Sequence, residues 1–77
     1  MASHSDLYSC LRYIGWHIDN YGIAPSVGEI ADHCHCSRPV AHSYLEILEA
    51  RGNIARIRKR GRVVCRGTVL ISLELTD

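Results

Sequence analysis

Two helix-start signals, eleven residues apart, constrain the fold of this chain more than any other feature. Ser26 is followed three residues later by Glu29, the pair that forms a capping box at the N-terminus of a helix. Ser37 stands before a run with a regular apolar face, and the proline two residues after it is tolerated in a first helical turn. The two signals predict a short helix to about His33, a tight turn, and a longer helix over residues 38–51.

The residues before and within these helices have apolar faces at helical spacing. A first helix is predicted from about Asp6 to Tyr21, with Ser5 as its cap and Gly22 as the glycine that closes it. Its apolar stripe comprises Leu7, Leu11, Ile14 and Ile18. The inner faces predicted for the second and third helices comprise Val27, Ile30, Ala31, Val40, Ala41, Tyr44, Leu45 and Leu48.

Strand signals follow the third helix, which ends at Gly52. Residues 54–58 and 62–65 are predicted to form two strands of a hairpin, joined across residues 59–61. Beyond them, polar and apolar residues alternate and predict a further strand over residues 68–75. Three helices followed by a hairpin are the layout of a winged helix-turn-helix domain, which is an α+β fold.

A chain of 77 residues has room for one small domain with a thin core. We expect a single domain over residues 1–77, with its core in residues 6–66 and the additional strand after it. The chain has no signal-peptide pattern and no apolar run long enough to span a bilayer, so we expect a cytoplasmic protein. The four cysteines are accordingly expected to be reduced thiols.

Charge is segregated along the chain despite a net charge of only +1. Residues 51–66 contain seven Lys or Arg and no acid, whereas the remainder carries a net charge of −6. Segregation of this kind favours a polyanionic partner over a role in solubility alone. Double-stranded DNA is the partner that suits both the basic hairpin and the pair of helices before it, and it would bring the protein to the nucleoid.

Residues 6–66 resemble the DNA-binding domain of LexA-type repressors. Residues 22–31, GIAPSVGEIA, are similar to the segment that leads into the second helix of that family. Residues 45–54, LEILEARGNI, are similar to its passage from the third helix into the wing. The resemblance implies a sequence-specific DNA-binding transcriptional regulator, and a repressor that occupies an operator and excludes polymerase.

Two departures from that family limit what the resemblance implies. The sequence stops before any self-cleaving peptidase domain, so autocleavage is not expected. The start of the third helix is one residue shorter than in that family and is closer to the pattern of other bacterial regulators. The operator sequence of LexA-type repressors is therefore not expected to be inherited.

In a helix-turn-helix, the second helix of the pair lies in the major groove with its N-terminal residues over the base edges. For the helix over 38–51 the candidate DNA-binding residues are Ser37, Arg38, Pro39, His42 and Ser43, with Ser26 at the start of the preceding helix. Arg38 is the candidate for bidentate recognition of guanine, which is worth roughly 1–3 kcal/mol of discrimination. In the wing, residues 56–66, the candidates for contact with flanking backbone or minor groove are Arg58, Lys59, Arg60 and Arg62.

Residues 33–36 read His-Cys-His-Cys and raise the question of a metal site. Four successive residues cannot readily surround one tetrahedral ion, and Cys34 and Cys36 occupy turn positions that usually hold buried apolar residues. We expect no metal and no cofactor, and a metal-responsive regulator that uses these two cysteines is an alternative. His35 stands where the turn usually has glycine, so a strained or altered turn is expected.

Trp16 is predicted to lie nearly opposite the apolar stripe of the first helix, because successive residues turn by roughly 100°. Tyr13 lies toward the same side. In one interpretation this aromatic pair packs under the C-terminal strand. In the other it forms a homodimer or partner surface together with Val69, Ile71 and Leu73.

No catalytic constellation is found in the sequence, which lacks a phosphate-binding glycine loop, a spaced carboxylate pair and a nucleophile with an oriented base. We expect neither an enzyme nor a site for a small-molecule substrate, and no membrane partner. The main alternative is a winged helix that acts as a protein-interaction module, for example an antagonist of a host factor, although the basic wing argues against it. Structure-selective DNA binding or RNA binding is a third alternative.

Overall fold

The computed structural model describes residues 4–73, except for the side chains of residues 4, 5, 58, 59 and 62–67. Its elements are helices α1 (His4–Tyr21), α2 (Val27–Cys34) and α3 (Arg38–Ala50) and strands β1 (Ile54–Lys59) and β2 (Arg62–Leu70). The two strands pair antiparallel. Over these residues the fold is α+β, three helices followed by a hairpin, which is compatible with the predicted winged-helix layout.

The starts of α2 and α3 are fixed by side-chain caps, as predicted. Ser26 Oγ accepts a hydrogen bond from Glu29 N at 3.2 Å, and Ser26 N donates to Glu29 Oε1 at 2.8 Å. This reciprocal pair is the capping box. Ser37 Oγ accepts from Val40 N at 3.4 Å and caps α3 in the same way. Both caps satisfy amides that the start of a helix leaves without an internal partner.

Helix α1 begins two residues earlier than the sequence predicted. It starts at His4, so Ser5 lies inside the first turn and the prediction that Ser5 caps the helix is wrong. The carboxylate of Asp6 in this first turn favours a helix N-terminus, and no helix-breaking residue stands before it. At the other end Gly22 has a φ of +76° and its N–H donates to Ile18 O at 2.8 Å, which confirms the predicted glycine closure.

The turn between α2 and α3 depends on a histidine in the left-handed region. His35 has φ 54° and ψ 46°, and its N–H donates to Asp32 O at 3.4 Å. Cys36 N donates to Ala31 O at 3.0 Å and holds the chain in place before α3. The left-handed conformation costs a non-glycine residue about 1–2 kcal/mol. The expected strained turn is confirmed.

The core lies between the inner faces of the three helices and the start of β1. Its buried members are Leu7, Cys10, Leu11, Ile14, Ile30, Ala31, Ala41, Tyr44, Leu45, Leu48 and Ile54. One predicted core position is wrong, because Val40 is 40 % exposed, whereas Ile18 and Val27 are partly buried and pack against the core. The buried stripe of α3 begins at Ala41, so Val40 lies beyond its edge.

The hairpin turns at Arg60 and Gly61, as the predicted position of the loop requires. Their φ values of 52° and 78° are those of a two-residue turn in which both central residues are left-handed. The register pairs Lys59 with Arg62 next to the turn. Strand β2 has nine residues against six in β1, and the register shifts partway along the pair.

The separate strand predicted over residues 68–75 is wrong for the residues that the structure describes. Residues 68–70 are the end of β2, where Val69 pairs with Ala55, and residues 71–73 belong to no strand. Residues 74 and 75 lie outside the described part. The register shift is the physical reason, because it lets β2 continue alongside the beginning of β1 instead of ending at the predicted break.

The chain after β2 is held by Asn53, the buried residue that precedes β1. Its carbonyl oxygen accepts hydrogen bonds from Ile71 N at 2.8 Å and Ser72 N at 3.1 Å, and its Nδ2 donates to Ser72 O at 3.0 Å. These bonds direct the C-terminal segment onto α1. A Cβ on Gly15 would lie 3.2 Å from Leu70 Cδ2 and 3.6 Å from Leu73 Cδ2, so this close crossing favours a small residue at position 15.

Candidate nucleic-acid interface

The outward face of α3 carries the predicted DNA-binding residues. All five are exposed, namely Ser37, Arg38, Pro39, His42 and Ser43. Their exposure follows from the buried stripe of α3, which turns Tyr44 and Leu45 to the core and leaves the opposite face in solvent. Ser43 Oγ donates to Pro39 O at 3.2 Å, so the hydroxyl hydrogen is engaged and its lone pairs are available to a donor.

Arg38 reaches from the start of α3 to the start of α2. A Cβ on Gly28 would lie 3.0 Å from Arg38 Nη2 and 3.6 Å from Arg38 Nε. The guanidinium therefore lies over the first turn of α2, in a groove that Ser26 also lines. The N-terminus of a helix is the positive end of its dipole, and the guanidinium adds a full positive charge beside it, in a groove that the carboxylates of Glu29 and Asp32 also line.

The tip of the wing presents a cation on a constrained backbone. Arg60 is exposed and occupies the first position of the two-residue turn. The backbone places Arg58, Lys59 and Arg62 on the adjoining rungs of the hairpin, whereas their side chains lie outside the described residues. The register therefore brings all four predicted wing residues to one end of the hairpin.

One of the basic residues of the wing is held by an internal ion pair. Arg56 Nη2 and Nε donate to Glu49 Oε1 at 2.9 and 3.1 Å, and the Arg56 side chain is only 7 % exposed. Its charge is thus compensated within the fold, and the pair joins the last turn of α3 to β1. Sequence reasoning missed this contact, because a spacing of seven residues across Gly52 gives no local signal.

The His-Cys-His-Cys segment is divided by the fold. Cys34 and Cys36 are half-buried against the core, His35 occupies the exposed turn, and the His33 ring stacks on Tyr13 with centroids 4.1 Å apart. Burial raises the pKa of the Cys34 thiol, as does the neighbouring Cys36, against an opposing hydrogen bond with Cys10. Across the part of the chain that the structure describes, no group of three His, Cys, Asp or Glu could hold a metal ion.

In the aromatic pair of α1, Trp16 is exposed and Tyr13 is partly buried. Trp16 is 51 % exposed, and its ring stacks on that of Tyr13 with centroids 6.1 Å apart and planes at 17°. The interpretation that a C-terminal strand covers this pair is wrong for the described residues, since the segment up to Leu73 crosses α1 at Gly15 instead. The other residues predicted for a partner surface, Val69, Ile71 and Leu73, are also exposed.

A buried histidine that sequence reasoning missed connects α1 to the capping box of α2. His17 Nδ1 donates to Ile23 O at 2.6 Å, which leaves Nε2 3.6 Å from Glu29 Oε2. Burial, followed by the nearby Glu29 carboxylate, raises the pKa of the adjacent Tyr13. His17 was hidden in the sequence because a single histidine on an apolar stripe carries no pattern of its own.

No protein-family model matches this chain, and no curated protein matches it at a significant level. None of the helices within residues 4–73 combines the length and apolar character that crossing a bilayer requires.

Proposed function

We propose that this protein is a sequence-specific, double-stranded DNA-binding transcriptional regulator of the winged-helix type. Helix α3 would enter the major groove, and the wing would contact the flanking backbone or minor groove. The observation that carries the proposal is the exposed N-terminal face of α3. There the Arg38 guanidinium extends from the start of α3 to the first turn of α2. A major groove about 12 Å wide admits a helix with such a face.

Roles for the individual side chains follow from their chemistry. The planar guanidinium of Arg38 is suited to donate two hydrogen bonds to guanine O6 and N7. It can move from its position against α2 into the groove, because it is the end of a flexible side chain. His42 and Ser43 lie further along the same exposed face and suit contacts to base edges or phosphate. Ser26, at the start of α2, suits a phosphate contact, because the first helix of the pair crosses the DNA backbone.

The wing supplies the second contact in this proposal. Arg60 at the exposed tip and its basic neighbours on the hairpin suit phosphates beside the major-groove site, or a narrow minor groove. The ion pair between Arg56 and Glu49 holds the base of the wing to α3. Reading helix and wing would therefore dock as one rigid unit.

The resemblance of residues 22–31 and 45–54 to LexA-type repressors supports repression by occupancy of an operator. In that role the protein would act in the cytoplasm, at the nucleoid, without a cofactor or a catalytic step. The alternative of a pure protein-interaction module does not explain why six basic residues besides the ion-paired Arg56 are segregated within 51–66.

The deciding experiment is selection of bound duplexes from a random pool, followed by titration of the enriched sequence. We expect an enriched motif, and a loss of preference at one guanine position when the selection is repeated with Arg38→Ala. Single-stranded DNA and duplex RNA of the same sequence serve as competitors. Failure to bind mixed-sequence duplex at low ionic strength would overturn the proposal, and preference for RNA would redirect it.

A further inference from the structure

The outer face of α1 carries a continuous aromatic band. Trp16 is at the centre of the band and contacts two other rings. It stacks on Tyr13 and contacts Tyr21 edge-on, with 5.8 Å between the centroids of Trp16 and Tyr21. Trp16 and Tyr21 are 51 % and 63 % exposed. A cluster of large exposed rings on a small domain is characteristic of an interaction surface.

The band extends through three adjoining surface depressions. Tyr13 and Trp16 line both the first and the second depression, and Ile23 lines both the second and the third. The third reaches the end of β2 at Val69, which is itself 52 % exposed. The band is thus one surface along α1, and none of the residues that line its three depressions belongs to α3.

Two residues of opposite charge flank Trp16 along this band. Arg12 lies four residues before Trp16 and Asp19 three residues after it, so each stands about one helical turn from the tryptophan. Both are exposed and both lie on the same side of α1 as Trp16. A two-fold axis through Trp16 that pairs two antiparallel copies of α1 would place each Arg12 near the Asp19 of the other copy.

We propose that the aromatic band binds a second copy of this chain, in an isologous dimer with Trp16 near the two-fold axis. The Trp16 and Tyr13 rings of the two copies form the apolar centre of the contact. Two pairs of Arg12 and Asp19 fix its antiparallel register. Self-complementary charge favours this occupant over an unrelated protein, because one copy already carries both halves of the match.

The proposal does not rest on DNA binding, since no residue that lines the band belongs to α3. Its failure would leave the proposed function untouched, and failure to bind DNA would leave the dimer untouched. If both hold, the dimer presents two reading helices to one duplex and predicts a motif with two-fold symmetry.

Trp16 is the only tryptophan in the chain, so its fluorescence reports on the band directly. We expect the emission of the wild-type protein to shift to shorter wavelength as its concentration rises, in step with a doubling of mass in sedimentation equilibrium. Trp16→Ala should weaken association by about tenfold or more, as expected for a central aromatic anchor. A wild-type protein that stays monomeric at high micromolar concentration would overturn the proposal.

Charge reversal tests the register. Arg12→Asp alone would place two carboxylates opposite each other at each pair, and Asp19→Arg alone would place two guanidinium groups opposite each other. Each variant alone should therefore associate at least about tenfold more weakly than the wild type. In an equimolar mixture of the two variants every pair can again be opposite in sign, so the mixture should regain association as a heterodimer.

Glu46→Arg, an exposed reversal on α3, is the matched control and should leave association unchanged. Circular dichroism verifies that each variant keeps its helices. Single variants that associate as the wild type does, or a mixture no stronger than either variant alone, would overturn the proposed register and with it the dimer described here.

Discussion

The guanidinium of Arg38 lies against Gly28, so closely that a Cβ at residue 28 would stand 3.0 Å from Nη2. The residue with the strongest claim to base recognition thus rests across the start of the neighbouring helix. Two roles can follow from this position. Either Arg38 leaves α2 to read a base, or it stays there and binds a phosphate with the helix N-terminus. We favour the first role, and substitutions at the two positions separate them.

Arg38→Ala should weaken binding to the selected sequence by about 10- to 100-fold, the equivalent of one bidentate base contact of roughly 1–3 kcal/mol. Binding to unrelated duplex should fall much less, because phosphate contacts supply most of it. Competition titrations with specific and mixed-sequence duplexes measure both. Equal weakening for both kinds of duplex would mean that Arg38 binds phosphate only.

Gly28→Ala should displace the resting guanidinium without harming the fold, because the close atom is the end of a flexible side chain. Alanine in place of glycine in a helix should raise the free energy of unfolding, by up to about 1 kcal/mol. We expect the affinity for the selected sequence to be essentially unchanged, since Arg38 extends into the groove when DNA is bound. A decrease in affinity as large as that of Arg38→Ala would show that the resting position is the functional one.

Neutralising the wing should weaken binding to all sequences and reduce its salt dependence. Arg60→Asn is well suited, because asparagine tolerates the left-handed backbone of Arg60 better than arginine does. Combined with Arg62→Gln, it should make the plot of the logarithm of the binding constant against the logarithm of salt concentration less steep. The magnitude of the slope should fall by about 0.9 for each phosphate that the wing no longer neutralises. Arg60→Lys keeps the charge and should keep the slope. An unchanged slope in the double variant would exclude the wing from the interface.

Replacing His35 by glycine should stabilise the protein, since glycine adopts φ 54° without a steric penalty. We expect the free energy of unfolding in urea to rise, by up to about 1 kcal/mol after the larger entropy of glycine in the unfolded chain is included. Glu46→Gly, in the right-handed backbone of α3, should instead lower it by a similar amount. A destabilised His35→Gly variant would contradict the account of the turn.

The raised pKa of Cys34 predicts a thiol that is slow to react at neutral pH. The thiolate is the reactive form, so at neutral and mildly alkaline pH Cys34 should be alkylated more slowly in the folded protein than in the unfolded chain. The same shift makes the folded state lose stability as the pH rises past 9.0, because the unfolded chain gives up the proton first. Mass spectrometry after timed alkylation follows each cysteine, with urea-unfolded protein as the reference. Rapid modification of Cys34 at pH 7 in the folded protein would contradict the shift.

Local signals predicted the parts of this fold that local contacts determine. The capping box of Ser26 and Glu29, the cap at Ser37 and the left-handed His35 all involve residues within a few positions of one another. The exposed face of α3 followed from the same helical spacing. A prediction of this kind requires only the sequence of one helix and its flanks.

Features set by contacts between distant residues were not predictable in the same way. Ser5 was expected outside α1 and Val40 inside the core, and the structure contradicts both. The strand expected after Gly67 was absorbed into β2 by a register shift whose cause lies in the pairing with β1. His17 likewise joined the capping box of α2 only through the packing of two helices.

In the proposed complex with DNA, the ion pair between Arg56 and Glu49 has a consequence for the spacing of the DNA site. It joins the end of α3 to the start of the hairpin, so the two proposed contacts with the duplex would keep a constant distance from each other. Inserting a single base pair between the core motif and its flank would then prevent α3 and the wing from contacting the duplex at the same time. We therefore expect such an insertion to weaken binding. The protein would then recognise the spacing between two contact sites as well as the base sequence of one of them.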